Sequence, residues 1–375
     1  MDDAIYADES IYEYPMQQGG GNDGRPYSFG RPSSGGSKAA YPCKSYGQGR
    51  INPAYFYGVF DPNDMRRDVS ITMTGSNGKG VEKLIPFVPN SKAEGGGLTL
   101  NKWDENRQAN PWVAAQRKSG INGPYMRMSE VYLGYAEVCA ALGDVVTGKQ
   151  YLKTVRERSF PQGLANTDAF IASFGNDLVR AIIEERGFEY AGEGDRRWTL
   201  IRSGYLPEDI KRIKDMTKAM MDGLATKGYY EFENGNIISA YIWTKLVDAK
   251  TIYGHRLTAQ CPTDKVNDPV LYPGWRGQKD NWEEMGLNYG SSTPATNLAI
   301  KGLFEIVSEE EAASLESQGY TKVNWGIDLV DNRDEYDKYL FWDYDYVSAP
   351  IYLWPFTPNV MAAGGFTNGY GFKQE

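Results

Sequence analysis

The sequence predicts a mainly α-helical scaffold with helix pairs, short β-hairpins and long irregular loops, and three observations predict it. A run over residues 125–142 is apolar on almost every face (Tyr125, Met126, Val131, Leu133, Ala136, Val138, Leu142), as in a helix buried all round. A stripe at helical spacing over 206–227 (Ile210, Ile213, Met216, Met220, Leu224) predicts a long amphipathic helix. Between such runs lie stretches rich in Gly, Ser and Pro that hold neither helix nor strand.

In chain order, residues 1–120 read as a loop-rich segment. Ser10 to Tyr14 alternates as a strand, and 17–49 is rich in Gly, Ser and Pro. Gly19-Gly20-Gly21-Asn22-Asp23-Gly24 is not a phosphate cradle, since no Lys-Ser/Thr follows it. Over 81–120 the chain reads as loop and short strand, with Trp103 and Trp112 as anchors onto the helical layer. Residues 121–227 form the helical core. Its first hairpin, 125–142 and then 147–157, has the length and the Leu133-Gly134 placement of a tetratricopeptide-like unit; Thr147 caps its second helix and Pro161 stops it. Asn176 is the N-cap of the next helix, whose stripe is Leu178, Ile182, Ile183 and Phe188. Gly192 and Gly194 end that helix, and Arg196 and Arg197 open a short one carrying Trp198, Leu200 and Ile201. In 228–375, an Asn234-Gly235 turn between alternating runs over 229–238 predicts a hairpin. A long polar excursion over 248–294 carries Trp275 and Trp282, 309–318 is a short helix, and aromatic segments over 342–354 close the body.

Charges in a buried helix need partners. Arg127, Glu130 and Glu137 share one side of the first helix and require an interhelical arginine. Glu185, Glu189 and Glu193 form a carboxylate row at four-residue spacing among Arg186, Arg196 and Arg197, so the expectation is an ion network bracing neighbouring helices.

Composition excludes several functions. A net charge of −9 and a pI near 5.0 disfavour nucleic acid or an anionic membrane surface as the main partner. Mean hydropathy is −0.55, and no apolar run approaches the roughly 18 residues of a membrane helix. Cys43, Cys139 and Cys261 have neither metal nor redox spacing, and Cys139 reads as a small buried hydrophobe. His255 is the only histidine, which excludes multi-histidine zinc sites, and no Gly-x-Ser-x-Gly elbow occurs. Carboxylate pairs such as Glu189 with Glu193, or Asp343 with Asp345, have the residue types for glycoside hydrolysis, but arginines beside the first pair would keep both acids ionised and remove the proton donor. Asp61, Asp64 and Asp68 stand beside Arg66 and Arg67, which suits salt bridging rather than calcium. No cofactor or metal is expected.

The Arg-x-x-Glu helix, followed by Glu185-Arg186 through Glu193-Gly194-Asp195-Arg196-Arg197-Trp198-Thr199-Leu200-Ile201-Arg202, resembles the SusD/RagB family. Two further blocks in the right order are similar to it: Asp61-Pro62-Asn63-Asp64-Met65-Arg66-Arg67-Asp68, and Tyr352-Leu353-Trp354-Pro355-Phe356-Thr357-Pro358 with Asn368-Gly369-Tyr370. The family usually has an aspartate where this chain has Thr199, so the local pairing there should differ. The resemblance implies a single SusD/RagB-like domain over 1–375 and a non-catalytic surface lipoprotein. Such a protein captures an oligosaccharide, or in some relatives a peptide, for a SusC-like TonB-dependent outer-membrane transporter.

The start, Met1-Asp2-Asp3-Ala4-Ile5-Tyr6-Ala7, has neither the basic nor the apolar region of a signal peptide. Beside the resemblance, this leads to the expectation that the chain is the C-terminal portion of a longer protein, anchored by lipid through the missing part, whose helices would otherwise cover apolar surface. The family's ligand residues vary in position, so the candidate contacts come from composition. Aromatic rings beside Asn, Arg and Gly suit sugar, whose C–H face stacks on a ring, and Tyr27, Phe29, Tyr46, Tyr55, Tyr57, Trp275 and Trp282 are the candidates. The alternatives are a glycan-cleaving enzyme built on a carboxylate pair, and a scaffold subunit without ligand.

Overall fold

The computed structural model describes residues 9–17, 51–76, 82–85, 87, 97–100, 102–103, 120–160, 163–248, 296–334, 356–365 and 367. Its helices, in chain order, are α1 (Pro53–Gly58), α2 (Met65–Ser70), α3 (Met128–Ala141), α4 (Val145–Glu157), α5 (Thr167–Ala172), α6 (Leu178–Glu189), α7 (Arg196–Ser203), α8 (Leu206–Lys227), α9 (Glu309–Ser317), α10 (Gly326–Asp331) and α11 (Pro358–Gly364). The strands are β1 (Ser10–Tyr14), β2 (Ile71–Thr72), β3 (Thr74–Ser76), β4 (Glu82–Leu84), β5 (Thr99–Leu100), β6 (Gly123–Arg127), β7 (Tyr229–Glu231), β8 (Ile237–Ser239), β9 (Tyr241–Asp248), β10 (Thr296–Lys301) and β11 (Thr321–Asn324). They make four two-stranded antiparallel pairs and one three-stranded sheet ordered β10-β9-β11. The helical scaffold with short hairpins read from the sequence is the fold observed.

Helix α6 is the centre. Leu178 and every residue from 180 to 189 are buried, because the helix is packed on all sides. Ile182 joins a cluster with Leu133, Ala136, Leu152 and Val155 of the α3–α4 hairpin. Ile183 packs with Leu200 and Leu206 of α7 and α8. Phe188 belongs to the largest cluster, with Phe56 and Phe60, Met220 and Leu224 of α8, and Ile242 and Ile300 of the sheet. Such a helix has little amphipathic signal, and its charged residues have no route to bulk water.

Caps and boundaries correct several expectations. Residues 123–127 form a strand, not the first turns of a helix: β6 pairs antiparallel with β1, and α3 begins only at Met128, whose N–H donates to the Glu9 carbonyl (2.8 Å). Asp144, not Thr147, caps α4, its carboxylate accepting from the Thr147 N–H (3.1 Å). Asp177, not Asn176, caps α6 by accepting from the Arg180 N–H (3.0 Å), while Asn176 adopts a left-handed φ of 65° in the preceding turn. In both cases a carboxylate stood within three residues of the candidate, and the carboxylate made the cap.

Nor is α3 buried all round. Leu133, Ala136 and Cys139 face the core, but Val131, Tyr135, Val138 and Leu142 line an outer face, Leu142 being 82% exposed. Tyr12, Tyr14 and Tyr125 of the β1–β6 pair are also exposed.

Other readings stand as made: Leu206–Lys227 is one helix with Met220 and Leu224 buried, and Asn234-Gly235 turns between β7 and β8 with Gly235 at φ 84°. Trp103 is buried and its indole N–H donates to the Gly192 carbonyl (3.5 Å), the anchor expected of it. No described helix is long and apolar enough to cross a membrane.

Candidate functional site

The densest chemistry lies where α2, β6, α4 and α6 meet. Arg127 ends β6 in extended backbone, which turns its side chain inward beneath the α6 C-terminus. Its guanidinium donates to Glu193 (3.1 and 2.9 Å), Glu9 (2.8 Å) and the Glu189 carbonyl (2.9 Å), and also pairs with the Glu189 carboxylate. Arg158 adds a further bond to Glu189 and bonds Glu9 (3.0 Å). Arg66, on the first turn of α2, reaches Glu185 (2.6 Å), Glu189 (3.0 Å) and Asp64 (2.7 Å), and Asp64 also caps that helix. Arg156 bonds the second oxygen of Glu185 (2.9 Å), and Lys102 pairs with Glu193 and donates to the Glu189 carbonyl (2.7 Å). Among the described residues, Glu9, Asp64, Glu185, Glu189 and Glu193 therefore meet Arg66, Lys102, Arg127, Arg156 and Arg158, with Asp61 3.8 Å from Arg156, and this mutual pairing makes their burial tolerable.

The pairing sets protonation. Burial raises the pKa of Glu189, but Arg127, Arg66, Arg158 and Lys102 together outweigh that and hold its carboxyl well below the ordinary glutamate range. Glu9 is likewise depressed, burial being outweighed by Arg158 and Arg127. A second set lies on the opposite face of α6. There Glu184 accepts from Arg196 (2.8 Å) and Arg212 (2.9 Å), which also bond Asp209 at 2.9 and 2.7 Å. Burial of Glu184 is again outweighed, by Arg196 and Arg212, and its pKa is lowered. Neither Glu184 nor Glu189 is a reservoir of the protonated acid that glycoside cleavage requires.

Of the charged residues singled out in the sequence, Arg127, Glu185, Glu189 and Glu193 come together in the first set. Arg196 lies in the second. Arg186 instead bonds Asp195 (2.6 Å), with Glu130 at 3.9 Å. The hydroxyl of Thr199 accepts from Arg186 Nε (3.3 Å) and donates to Asp195 (2.8 Å), so Asp195 supplies the carboxylate that position 199 lacks. Glu137 meets the interhelical arginine its position required, Arg202 of α7 (2.7 Å), at the surface. Arg197 lies half-buried on α7. Sequence reasoning left out Glu9, Lys102, Arg156 and Arg158, which are far in sequence and whose only signal was the excess of buried carboxylate. It also left out Arg212 and Asp209, an i,i+3 pair on α8 that was legible once α6 was known to be buried.

The aromatic candidates divide. Tyr27, Phe29, Tyr46, Trp275 and Trp282 lie outside the described residues, as do Trp112, Cys43, Cys261, His255, Asp343 and Asp345. Tyr57 is a core residue with no exposed surface: its ring stacks on Phe232 (6.0 Å, 8° between planes), and its hydroxyl accepts from the Trp325 indole (2.9 Å). Tyr55 packs edge-on to Phe60, and its hydroxyl donates to the Gly187 carbonyl (3.3 Å). Both sit on α1, whose buried residues are Pro53, Ala54, Phe56 and Tyr57, while Tyr55 is half-buried.

A cleft of about 350 Å³ opens between the loop after α1, the end of α4 and α5. Its walls include Asp61, Arg156, Asn166, Phe170, Phe174 and Asn234. Phe170 and Phe174, four residues apart, meet edge to face at 5.3 Å. Asn234 is fully used inside, donating to the carbonyls of Tyr57 (2.7 Å) and Phe60 (2.8 Å).

Comparison with known proteins places the chain. It is 28% identical over 160 residues to the SusD-like protein P25 of Formosa agariphila, an alignment covering 42% of this chain and 26% of that protein. The chain is also similar to a SusD homolog from Bacteroides thetaiotaomicron (22% identity, 43% of this chain and 33% of that one, TM-score 0.31). It is also similar to surface glycan-binding protein A of the same organism, solved with laminarihexaose (18% identity, 56% and 47%, TM-score 0.38). The chain spans about a quarter of the length of the curated relative and less than half of either structure. The SusD family model matches residues 5–355, nearly the whole sequence, and the chain belongs to the SusD family.

Proposed function

We propose that the chain captures an oligosaccharide, or a peptide as in some relatives, at the outer cell surface without cleaving it. It passes the ligand to a SusC-like TonB-dependent outer-membrane transporter. The observation that carries this reading is the family match over residues 5–355. The pairing of Glu189 fits it, because a buried acid held by several guanidinium groups, its pKa lowered by them, braces helices and has no proton to donate to a glycosidic oxygen. Contact with the ligand is assigned to the aromatic rings Tyr27, Phe29, Tyr46, Trp275 and Trp282, each offering a flat apolar face to a pyranose. Binding of this kind is weak per contact and selects by shape.

Affinity electrophoresis through gels holding a polysaccharide panel tests the reading. Retardation on at least one glycan is expected, reduced in a Tyr27→Ala/Phe29→Ala variant. A protein that runs freely through every gel would remove the oligosaccharide reading.

A further inference from the structure

We propose that the cleft between α1, α4 and α5 is a second sugar-binding subsite, taking one or two rings of a neutral glycan. The proposal rests on the capture reading above and adds to it a site built from other residues, all of them described. Its volume of about 350 Å³ lies at the small end of ligand pockets, roughly 300–1,000 Å³, so it suits a short stretch of a sugar chain and not a long run.

The wall chemistry decides the class of ligand. Phe174 is half-buried and lines the cleft, an aromatic ring of the kind a pyranose C–H surface covers. Phe170 beside it is backed by Arg156, whose guanidinium carbon lies 3.8 Å from the ring centroid, so the ring pair is held in place from behind.

Polar groups surround these rings with hydrogen-bonding capacity to spare. Arg156 is 2% exposed; one of its terminal nitrogens bonds Glu185, yet its Nε–H has no acceptor among the described residues. That Nε has almost no accessible surface, so Arg156 supports the wall through its contact with Phe170 and is not itself a ligand donor. Asp61 uses one oxygen to accept from the Asn63 N–H (2.8 Å), while the other stands 3.8 Å from Arg156, beyond a hydrogen bond, and can accept from a hydroxyl. Asn166 spends its side-chain oxygen on capping Ala169 (3.0 Å), which leaves the amide N–H groups of this wall residue as donors.

Charge narrows the class further. The four charged residues on the wall are two acids and two bases, and each is matched: Arg156 by Glu185 and Asp61, Arg212 by Glu184. A site with no net charge gives an anionic sugar no advantage over a neutral one. Donors, acceptors and an aromatic face in a small neutral cleft fit a hydroxyl-rich ring.

The test uses the whole chain in affinity gels of amylopectin, mixed-linkage β-glucan, mannan and xylan, with polygalacturonate as the anionic arm. Two variants leave the scaffold in place. Phe174→Leu keeps apolar bulk and removes the ring, and Asn166→Asp keeps the helix cap and removes the amide donors. Expected are retardation on a neutral glycan and, on that same glycan, a dissociation constant about tenfold weaker in Phe174→Leu and several-fold weaker in Asn166→Asp, with thermal midpoints at the wild-type value. If both variants bind as wild type does while Tyr27→Ala/Phe29→Ala loses binding, the cleft proposal is wrong and the capture reading stands. Retardation by polygalacturonate alone overturns the neutral class. Free migration through every gel overturns both the cleft proposal and the oligosaccharide reading.

Discussion

Replacing Glu189 with glutamine isolates the α6 network, because the side chain keeps its size and loses only its charge and one acceptor. In the native chain this carboxylate serves Arg127, Arg158 and Arg66 at once and is almost wholly buried. The amide would turn an N–H toward a guanidinium and take from Arg127, Arg158 and Arg66 the carboxylate they share. Breaking a buried pair costs roughly 3–5 kcal/mol. Here the lower end applies: Arg127 keeps Glu193 and Glu9, Arg66 keeps Glu185 and Asp64, and Arg158, 40% exposed, can reach water. A loss of about 3 kcal/mol, at about 2 °C per kcal/mol for a large domain, lowers the melting midpoint by about 6 °C. Urea and thermal unfolding followed by far-UV circular dichroism give both numbers. A loss under about 1 kcal/mol, the size of an exposed pair, would refute the claim that the network braces the scaffold.

Other consequences can be checked in the same way. Glu189 has a folded pKa below its ordinary 4.5, so its contribution is complete above that value and is lost as the pH falls below it; the urea midpoint of the wild type should drop more than that of Glu189→Gln between about pH 6 and about pH 3.5. Arg202→Ala removes a surface partner of Glu137 and should cost at most about 1 kcal/mol in urea unfolding, in contrast to the buried set. Tyr57→Phe takes the acceptor from the buried Trp325 indole and should destabilise by about 1–3 kcal/mol with no change in glycan retardation, since that ring is packed inside. Gly326→Ala would place a methyl 2.6 Å from both the Ser239 carbonyl oxygen and Leu224; backbone cannot yield cheaply, and a loss at or above about 3 kcal/mol is expected in thermal unfolding.

The parts of the fold legible in the sequence were those encoded locally. The 206–227 stripe, the Asn234-Gly235 turn and the strand over 10–14 each carry their own period or turn chemistry, and each formed as read. Boundaries failed where two signals competed. The apolar run over 125–142 holds a strand and a helix in succession, and only the pairing of Ser10 with Arg127, distant in sequence, shows where one becomes the other. The outer face of α3 shows a further limit: Val131, Val138 and Leu142 are as apolar as the core-facing Leu133, and their period alone cannot say which stripe another element covers. Among the charges, the carboxylate row was visible at four-residue spacing, but its partners Arg66, Arg156 and Arg158 are fixed by tertiary packing and leave no trace in local spacing. The burial of Tyr57 was hidden from the sequence for a related reason, while Tyr55 on the same helix is half-buried. A ring at the end of a Gly-rich stretch reads as exposed, until a short helix with Ala54 and Phe56 turns it into the core.

In the proposed function the α6 acids hold a frame together around a surface that binds and does no chemistry. The most direct measurement is to incubate the whole chain with whichever polysaccharide retards it and count new reducing ends over time. Retention with no reducing ends above the buffer control is the predicted result. Steady release of reducing sugar, abolished by Glu189→Gln, would contradict it.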